Sequence, residues 1–290
     1  MRLLPRSVRQ STRPALLSLA VTLGSLAVPL GAPAVQASSA AAESTDEFVI
    51  ASFNILGASH TDGRRGRPGF DHSRVRLPRA IEVLRRTDAD VVGLQEFQRS
   101  QRDRFLARVG KEWAVYSTYD HNTDNSIAWR TDRFALVEGS WARVPYFHGR
   151  MRRMPIVALR SRTTDRVVYV MNVHNPADSK GNAAKWRRKA MRIERRVTAK
   201  LTSERRAPVI LTGDMNDREE FFCPFTEPGI MHSFVGGSNP PDGPCLTPRA
   251  GIDWIFGNQY VEFADPRIDR SGLVTAASDH PIVSARVLLR

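Results

Sequence analysis

Six apolar runs in this chain are bounded by side chains for which a core has no use. "FVIASF" ends in Asn54, "DVVGLQ" in Glu96, "VVYVMNV" in His174 and Asn175, and "PVILTG" in Asp214, with Asn216 two residues on. Two further runs begin on such residues: Asp253 opens "DWIF", and Asp279 with His280 precedes "PIVSA". Desolvating an unpaired charge is costly, so groups like these persist where a metal or one another satisfies them. Between antiparallel neighbours, the end of one strand lies beside the start of the next, so six runs can deliver these groups to one rim. Taken singly, each has an ordinary explanation: Asn54 as a turn former, Asp214 as a turn acid after Gly213, His174 as a structural histidine. Their recurrence is what points to a site. Glu96, Asn54 and Asp279 are hard oxygen ligands, and no Cys/His spacing resembles a zinc site, so magnesium, with calcium or manganese as alternatives, fits better than zinc. Asp214 and Asn216, two apart, would point the same way from extended backbone. His174 and His280 beside carboxylates suit proton transfer near neutral pH. A metal, carboxylates and histidines without a nucleophilic Ser or Cys point to direct attack by water on a phosphate ester.

The elements that must position these groups are legible in outline. Strands are expected at 48–53, 90–94 and 208–213, in "DWIF" and "PIVSARVLL", and in four consecutive runs from "NSIAWR" to "RVVYVMNV". Consecutive strands argue for antiparallel pairing. Pro78 is placed to open a helix through Arg86, residues 99–109 read as helical, and 57–72 as a Gly/Arg-rich loop. The longest helix covers 182–203, with Trp186, Ala190, Ile193, Val197 and Leu201 as its apolar stripe and a crowd of Lys and Arg elsewhere. Strands mixed with a few helices, without strict βαβ alternation, imply a layered α/β fold with two facing sheets.

Before this domain comes a leader. Arg2, Arg6, Arg9 and Arg13 precede an apolar run from Pro14 to Leu30, and "AVQA" offers a cleavage signature, so residues 1–37 read as a secretory signal peptide. Residues 38–46 read as a disordered tail and 47–290 as one domain with no linker or internal repeat. Four of the formal +13 charges belong to the leader's arginines, which leaves +9 on the rest. A basic surface suits a phosphate-bearing partner. The stretch "RVPYFHGRMRRMP" (143–155) sets Arg143, Arg150, Arg152 and Arg153 beside Tyr146 and Phe147, a pairing that suits a nucleic-acid backbone. Arg150, Arg152, Arg153 and Asn175 are therefore the candidate substrate-binding residues. Cys223 and Cys245 are the only cysteines; in an oxidising compartment an even count implies a bridge. No stable protein partner is evident, and a monomer is expected.

Together, "IASFNIL", "DVVGLQEF", "NVHNPAD", "LTGDMND", "GIDWIF" and "SDHPIV" resemble the endonuclease/exonuclease/phosphatase superfamily, which shares the deoxyribonuclease I-like fold. The stretches run in the family's order from 49 to 283. The resemblance implies a four-layer α/β sandwich, two packed, mostly antiparallel β-sheets flanked by helices, and divalent-metal-dependent hydrolysis of phosphoesters. It implies Glu96 as main metal ligand, aided by Asn54 and Asp279. It implies His280 as acid or base oriented by Asp253, Asp214 and Asn216 positioning water and phosphate, and His174 stabilising the phosphate or protonating the leaving oxygen. One departure stands out: the glutamate that often orients the His174 equivalent is missing ahead of "IAWR", where Asp124 and Asn125 are the substitutes available. The substrates open to such a fold are DNA, RNA, inositol phosphates and sphingomyelin. The expectation is a secreted nuclease, with a sphingomyelinase-like phospholipid phosphodiesterase or a phosphatase as alternatives.

Overall fold

The computed structural model describes residues 46–64, 66–227 and 229–290. The expected signal peptide lies outside the described residues, as does all of the expected tail except Asp46. Asp46 is buried and accepts hydrogen bonds from the Ser161 and Thr164 hydroxyls, so it belongs to the folded domain.

The chain opens with β1 (Glu47–Asn54), α1 (Ala58–Thr61), α2 (Ser73–Arg86), β2 (Val91–Gln95) and α3 (Arg99–Val109). Next come β3 (Trp113–Ser117), β4 (Asn125–Arg130), β5 (Phe134–Pro145), a 3-10 turn at Phe147–Gly149, β6 (Met151–Ser161) and β7 (Val167–His174). It continues with α4 (Ala184–Arg205), β8 (Val209–Asp214), α5 (Glu219–Thr226), β9 (Met231–Ser233) and β10 (Asp253–Asn258). It closes with β11 (Val261–Asp269), α6 (Gly272–Ala277) and β12 (Ile282–Leu289). The strands form two six-stranded sheets, ordered β11-β12-β1-β2-β4-β3 and β5-β6-β7-β8-β10-β9. Pairing is antiparallel except for β1 with β2 and β7 with β8.

Both faces of each central strand are covered, which makes four layers. Along β1, Phe48 and Ile50 face the second sheet, while Ala51 and Phe53 join Leu77, Leu84, Phe105 and Val274 from α2, α3 and α6. On the far side, Ala190 and Met191 of α4 and Phe221, Phe222 and Phe225 of α5 complete the main core. Near the site, the interior between the sheets turns polar. Asn172 accepts from Gln95 Nε2 at 2.6 Å and Thr212 Oγ1 at 3.1 Å, and donates to the Leu94 and Ser126 carbonyls. Gly93 makes this close approach possible: a Cβ there would lie 2.0 Å from Thr212 Oγ1 and 2.5 Å from Asn172 Oδ1.

Three local expectations change. Helix α2 begins at Ser73 rather than Pro78, because Asp62 accepts the Ser73 N–H at 2.7 Å and His72 accepts that of Arg74. The Gly/Arg-rich stretch contains α1, and fully buried Arg76 pins it by donating to the Ile55, Leu56 and Ala277 carbonyls and the Thr61 hydroxyl. The buried line of α4 is Arg187, Ala190, Met191, Glu194, Thr198 and Thr202, about one residue round from the expected stripe, whose Trp186, Ile193 and Val197 form its half-buried edge. The cysteines form the expected bridge, with Cα atoms 5.9 Å apart across a separation of 22 residues.

Candidate active site

Strand register brings the polar boundary residues together. His174 and Asp214 are side by side at the ends of parallel β7 and β8, and Asp253 stands opposite Asp214 across the β8–β10 ladder. In the other sheet, Asn54 and Gln95 end paired strands, Glu96 follows, and β12 runs back beside β1 so that Asp279 and His280 arrive at the same rim. Ser278 fixes this turn by donating to the Asn54 carbonyl at 2.6 Å.

Asp214 Oδ2 is the hub. It accepts from Asn54 Nδ2 at 3.2 Å and lies 3.5 Å from His174 Nε2 and 3.7 Å from His280 Nε2. The same Asn54 amide donates to Glu96 Oε1 at 3.2 Å, while its oxygen takes the Leu56 N–H at 3.1 Å. Asn54 therefore bridges two carboxylates, and its oxygen, with one lone pair taken by the Leu56 N–H, keeps a second for an ion. Asn216 is held differently from the extended reading. Its φ is +50°, its N–H returns to Asp214 Oδ1 at 2.9 Å, and its amide donates to the Asn175 carbonyl at 2.9 Å.

Charge states follow from these contacts. Burial pulls His280 down, but the hydrogen bond to Asp253 at 3.0 Å and the nearby carboxylates outweigh it and push it up to about 10. His174 is lowered, chiefly by burial, so it is neutral. Burial pushes Asp214 up, and the pull of His174 and His280 offsets only part of that. Burial also acts on Glu96, yet His60 Nε2 at 3.2 Å and the Gly57 N–H at 2.8 Å overcome it and hold the carboxyl well below its ordinary value.

Two groups offer themselves to a divalent cation. Asp214, Asp253 and His280 each place one ligand atom within 4.8 Å of the others. A cation there would have to share the pocket with an imidazole that the neighbouring carboxylates favour in its protonated form. Glu96 and Asp279 are the better fit. Their side chains are 21% and 22% exposed, and each is met by a cationic group from the 57–72 stretch, His60 on Glu96 and Arg67 on Asp279. Carboxylates already arranged to receive positive charge, with oxygen donors only, suit a hard ion.

A cavity of about 270 Å³ opens over Glu96 and His174, walled by His60, Gln98, Asp124, Tyr146, Phe147, Arg152 and Lys180. Of the three substrate-binding arginines expected, Arg152 alone lines it, stacked 3.8 Å from the Tyr146 ring centre and paired with Asp124 at 3.5 Å. Arg153 points to the opposite face of β6, between Tyr119 and Trp141, as strand alternation requires. Arg150 is exposed in the turn outside the cavity lining. Asn175 is buried beneath the cleft, where its side chain meets Glu194 rather than solvent. Of the two substitutes for the missing glutamate, Asp124 is occupied with Arg152 and Asn125 is buried; the acid nearest His174 is Asp214. Tyr146 packs edge-on against His174 at 5.8 Å. His60, Arg67 and Lys180 had no signal in the sequence, since none of the three lies at a strand boundary or in a motif.

The model of the Endonuclease/Exonuclease/phosphatase family matches residues 51–280. The chain belongs to that family. No curated protein matches it. An endonuclease/exonuclease/phosphatase family protein from Bacteroides thetaiotaomicron is similar at 18% identity and TM-score 0.67, over 85% of this chain and 99% of its own. The mannosyl-6-phosphatase Bt3783 of the same organism has 19% identity and TM-score 0.65, over 83% and 99%. TDP2 of D. rerio complexed with single strand DNA product has 18% identity and TM-score 0.63, over 83% and 98%. At these identities the likeness shows the shared fold.

Proposed function

We propose that this chain is a secreted, divalent-metal-dependent phosphodiesterase that hydrolyses nucleic acid by direct attack of water. The observation that carries the reading is the convergence of Glu96, His174, Asp214, Asp253 and His280, from five separate segments, around one cleft. Glu96 and Asp279 would hold the cation, which when bound offsets negative charge on the phosphoryl group. Asp214, its proton affinity raised by burial, is placed to take the proton of a water lodged between it and His280. Asp253 keeps His280 cationic and aims Nε2 at the cleft, where it stabilises the phosphoryl oxygens. His174, uncharged, faces the leaving side beneath Tyr146. Arg152 and Lys180 bring further positive charge to the wall. A nucleic-acid substrate is favoured by this basic, aromatic-lined cleft and by the complex of a fold relative with a single strand DNA product.

The modest volume of the cavity, about 270 Å³, favours a second reading, a phosphatase acting on a compact phosphomonoester. The test offers single-stranded DNA, RNA, an aryl phosphodiester, a sugar phosphate and sphingomyelin to the protein with magnesium and with chelator. Magnesium-dependent release of nucleotides supports the first reading, and free phosphate as sole product supports the second. Absence of turnover on every substrate rejects both and leaves a binding protein on the same fold.

A further inference from the structure

Helix α4 leaves the cleft carrying a row of cations without acidic partners among the described residues. Lys185, Arg188, Lys189, Arg192 and Arg196 are exposed, and among the described residues none makes an ion pair. At about 100° per residue the five fall within about 100° of the helix circumference, in a row about 17 Å long. Like charges three and four apart weaken a helix, so the row opposes stability rather than serving it. The helix has two acids: Glu194 is buried, and Glu204 pairs with Lys200 in the last turns.

The row is continuous with the cleft. Lys180 lines the cavity with Nζ 5.0 Å from the centre of Phe147. Beyond Phe147, Gly149 lets the turn close on Trp186, whose ring a Cβ at Gly149 would approach to 2.6 Å. Lys185 and Lys189 flank that indole at 5.1 and 5.0 Å. Insertion into an anionic lipid surface would need an apolar helix face turned outward. The apolar residues Ala190 and Met191 face inward.

Resting on the nuclease reading, we propose that this row is a backbone track for nucleic acid, extending from the cleft over about five phosphates of one strand at about 3.4 Å each. The test measures binding of a labelled 20-nucleotide DNA against salt concentration for wild type and for the triple variant Lys189→Gln, Arg192→Gln, Arg196→Gln, after circular dichroism shows that the variant is folded. Turnover of an aryl phosphodiester runs in parallel. With a single-stranded probe, the expected result is a salt slope shallower by about 2, three lost contacts at about 0.7 each, and affinity at least about tenfold weaker at low salt, with aryl phosphodiester turnover unchanged. An unchanged slope and affinity overturn the proposal. So does failure of the wild type to bind DNA, or release of the wild type's phosphatidylserine vesicles, rather than its DNA, by the substitutions. DNA that binds with the expected slope difference but is never cleaved rejects the nuclease reading and leaves the track standing.

Beneath the cleft, an independent observation concerns two buried atoms. Asn175 Nδ2 donates to Glu194 Oε2 at 3.3 Å, yet among the described residues neither Asn175 Oδ1 nor Glu194 Oε1 has a partner. A carboxylate has only acceptors to offer the amide oxygen; a carboxylic acid has the missing donor. We infer that Glu194 is protonated in the folded protein and closes a two-bond ring with Asn175, making Glu194 a positioning residue for the catalytic turn. Asn175 transmits the hold, since its N–H bonds the Asp214 carbonyl and its own carbonyl receives Asn216, both at 2.9 Å. Burial pushes Glu194 up to about 8, opposed only by the Asn175 amide; no charged group on α4, α5, β5 or β8 contributes. Glu194→Gln preserves both bonds and is expected to keep kcat within about twofold, whereas Glu194→Leu leaves the amide unpaired and loses about tenfold or more. Difference infrared spectra of wild type and Glu194→Gln at pH 6.5 add a check that needs no turnover. A protonated-carboxyl band unique to wild type is expected, and its absence, or a Gln variant as impaired as Leu, overturns the inference.

Discussion

Glu96 and Asp214 end strands in different sheets and share one amide, Asn54 Nδ2, at 3.2 Å each, yet their surroundings push them in opposite directions. Glu96 is partly open to the cleft, with the His60 imidazole and the Gly57 N–H on one oxygen, and it is held as an anion. Asp214 is 1% exposed and shares its pocket with Asp253, so burial raises its affinity for a proton despite two neighbouring imidazoles. Carboxylates whose environments drive them apart take different roles. Here Glu96 is fitted to attract a cation and Asp214 to accept a proton.

The largest effect is expected at Asp214. Asp214→Asn keeps the shape and removes the base, so kcat on an aryl phosphodiester should fall by about 10³-fold while the magnesium concentration for half-maximal rate stays put. A loss that excess magnesium repairs would mean that Asp214 serves the cation and that the contrast with Glu96 is false. Next comes the pH dependence of stability, through Glu194. Its folded pKa of about 8 lies above the ordinary carboxyl value, so its stabilisation is complete below that ordinary value and is lost as pH rises through about 8. The melting temperature of Glu194→Gln should therefore gain on wild type between pH 5 and pH 9; a constant difference would show that Glu194 ionises normally. The smallest effect is expected at His60, the protein's own cation on Glu96. His60→Ala removes a competitor worth up to about 1 kcal/mol at a partly exposed pair, so magnesium should bind up to about fivefold more tightly by calorimetry. Weaker binding would make His60 a ligand instead.

What the sequence showed of this site were the strand boundaries. Asn54, Glu96, His174, Asp214, Asp253 and His280 stand where an apolar run meets a polar residue, and that contrast is local. His60 and Arg67 reach Glu96 and Asp279 only because buried Arg76 ties their loop to α2 and α6, a tertiary arrangement with no local pattern. The arginines of 150–153 read as one cluster, but successive residues of β6 face opposite ways, and only Arg152 enters the cleft. Helix α4 was readable in extent but not in phase: its buried line carries Glu194, Thr198 and Thr202, and the threonine hydroxyls bond back to the helix itself while Glu194 meets Asn175. The strands β3, β9 and β11 and the short helix α5 gave no strong alternation, and neighbouring strands and the disulfide stabilise them in place.

Where the cation sits decides between the two carboxylate groups, and isothermal titration of magnesium into Glu96→Gln and Asp253→Asn measures it without any substrate. The division of roles requires Glu96→Gln to lose magnesium binding and Asp253→Asn to keep it near the wild-type affinity. Retained binding in Glu96→Gln together with loss in Asp253→Asn would place the ion in the Asp214–Asp253–His280 cluster and contradict the account.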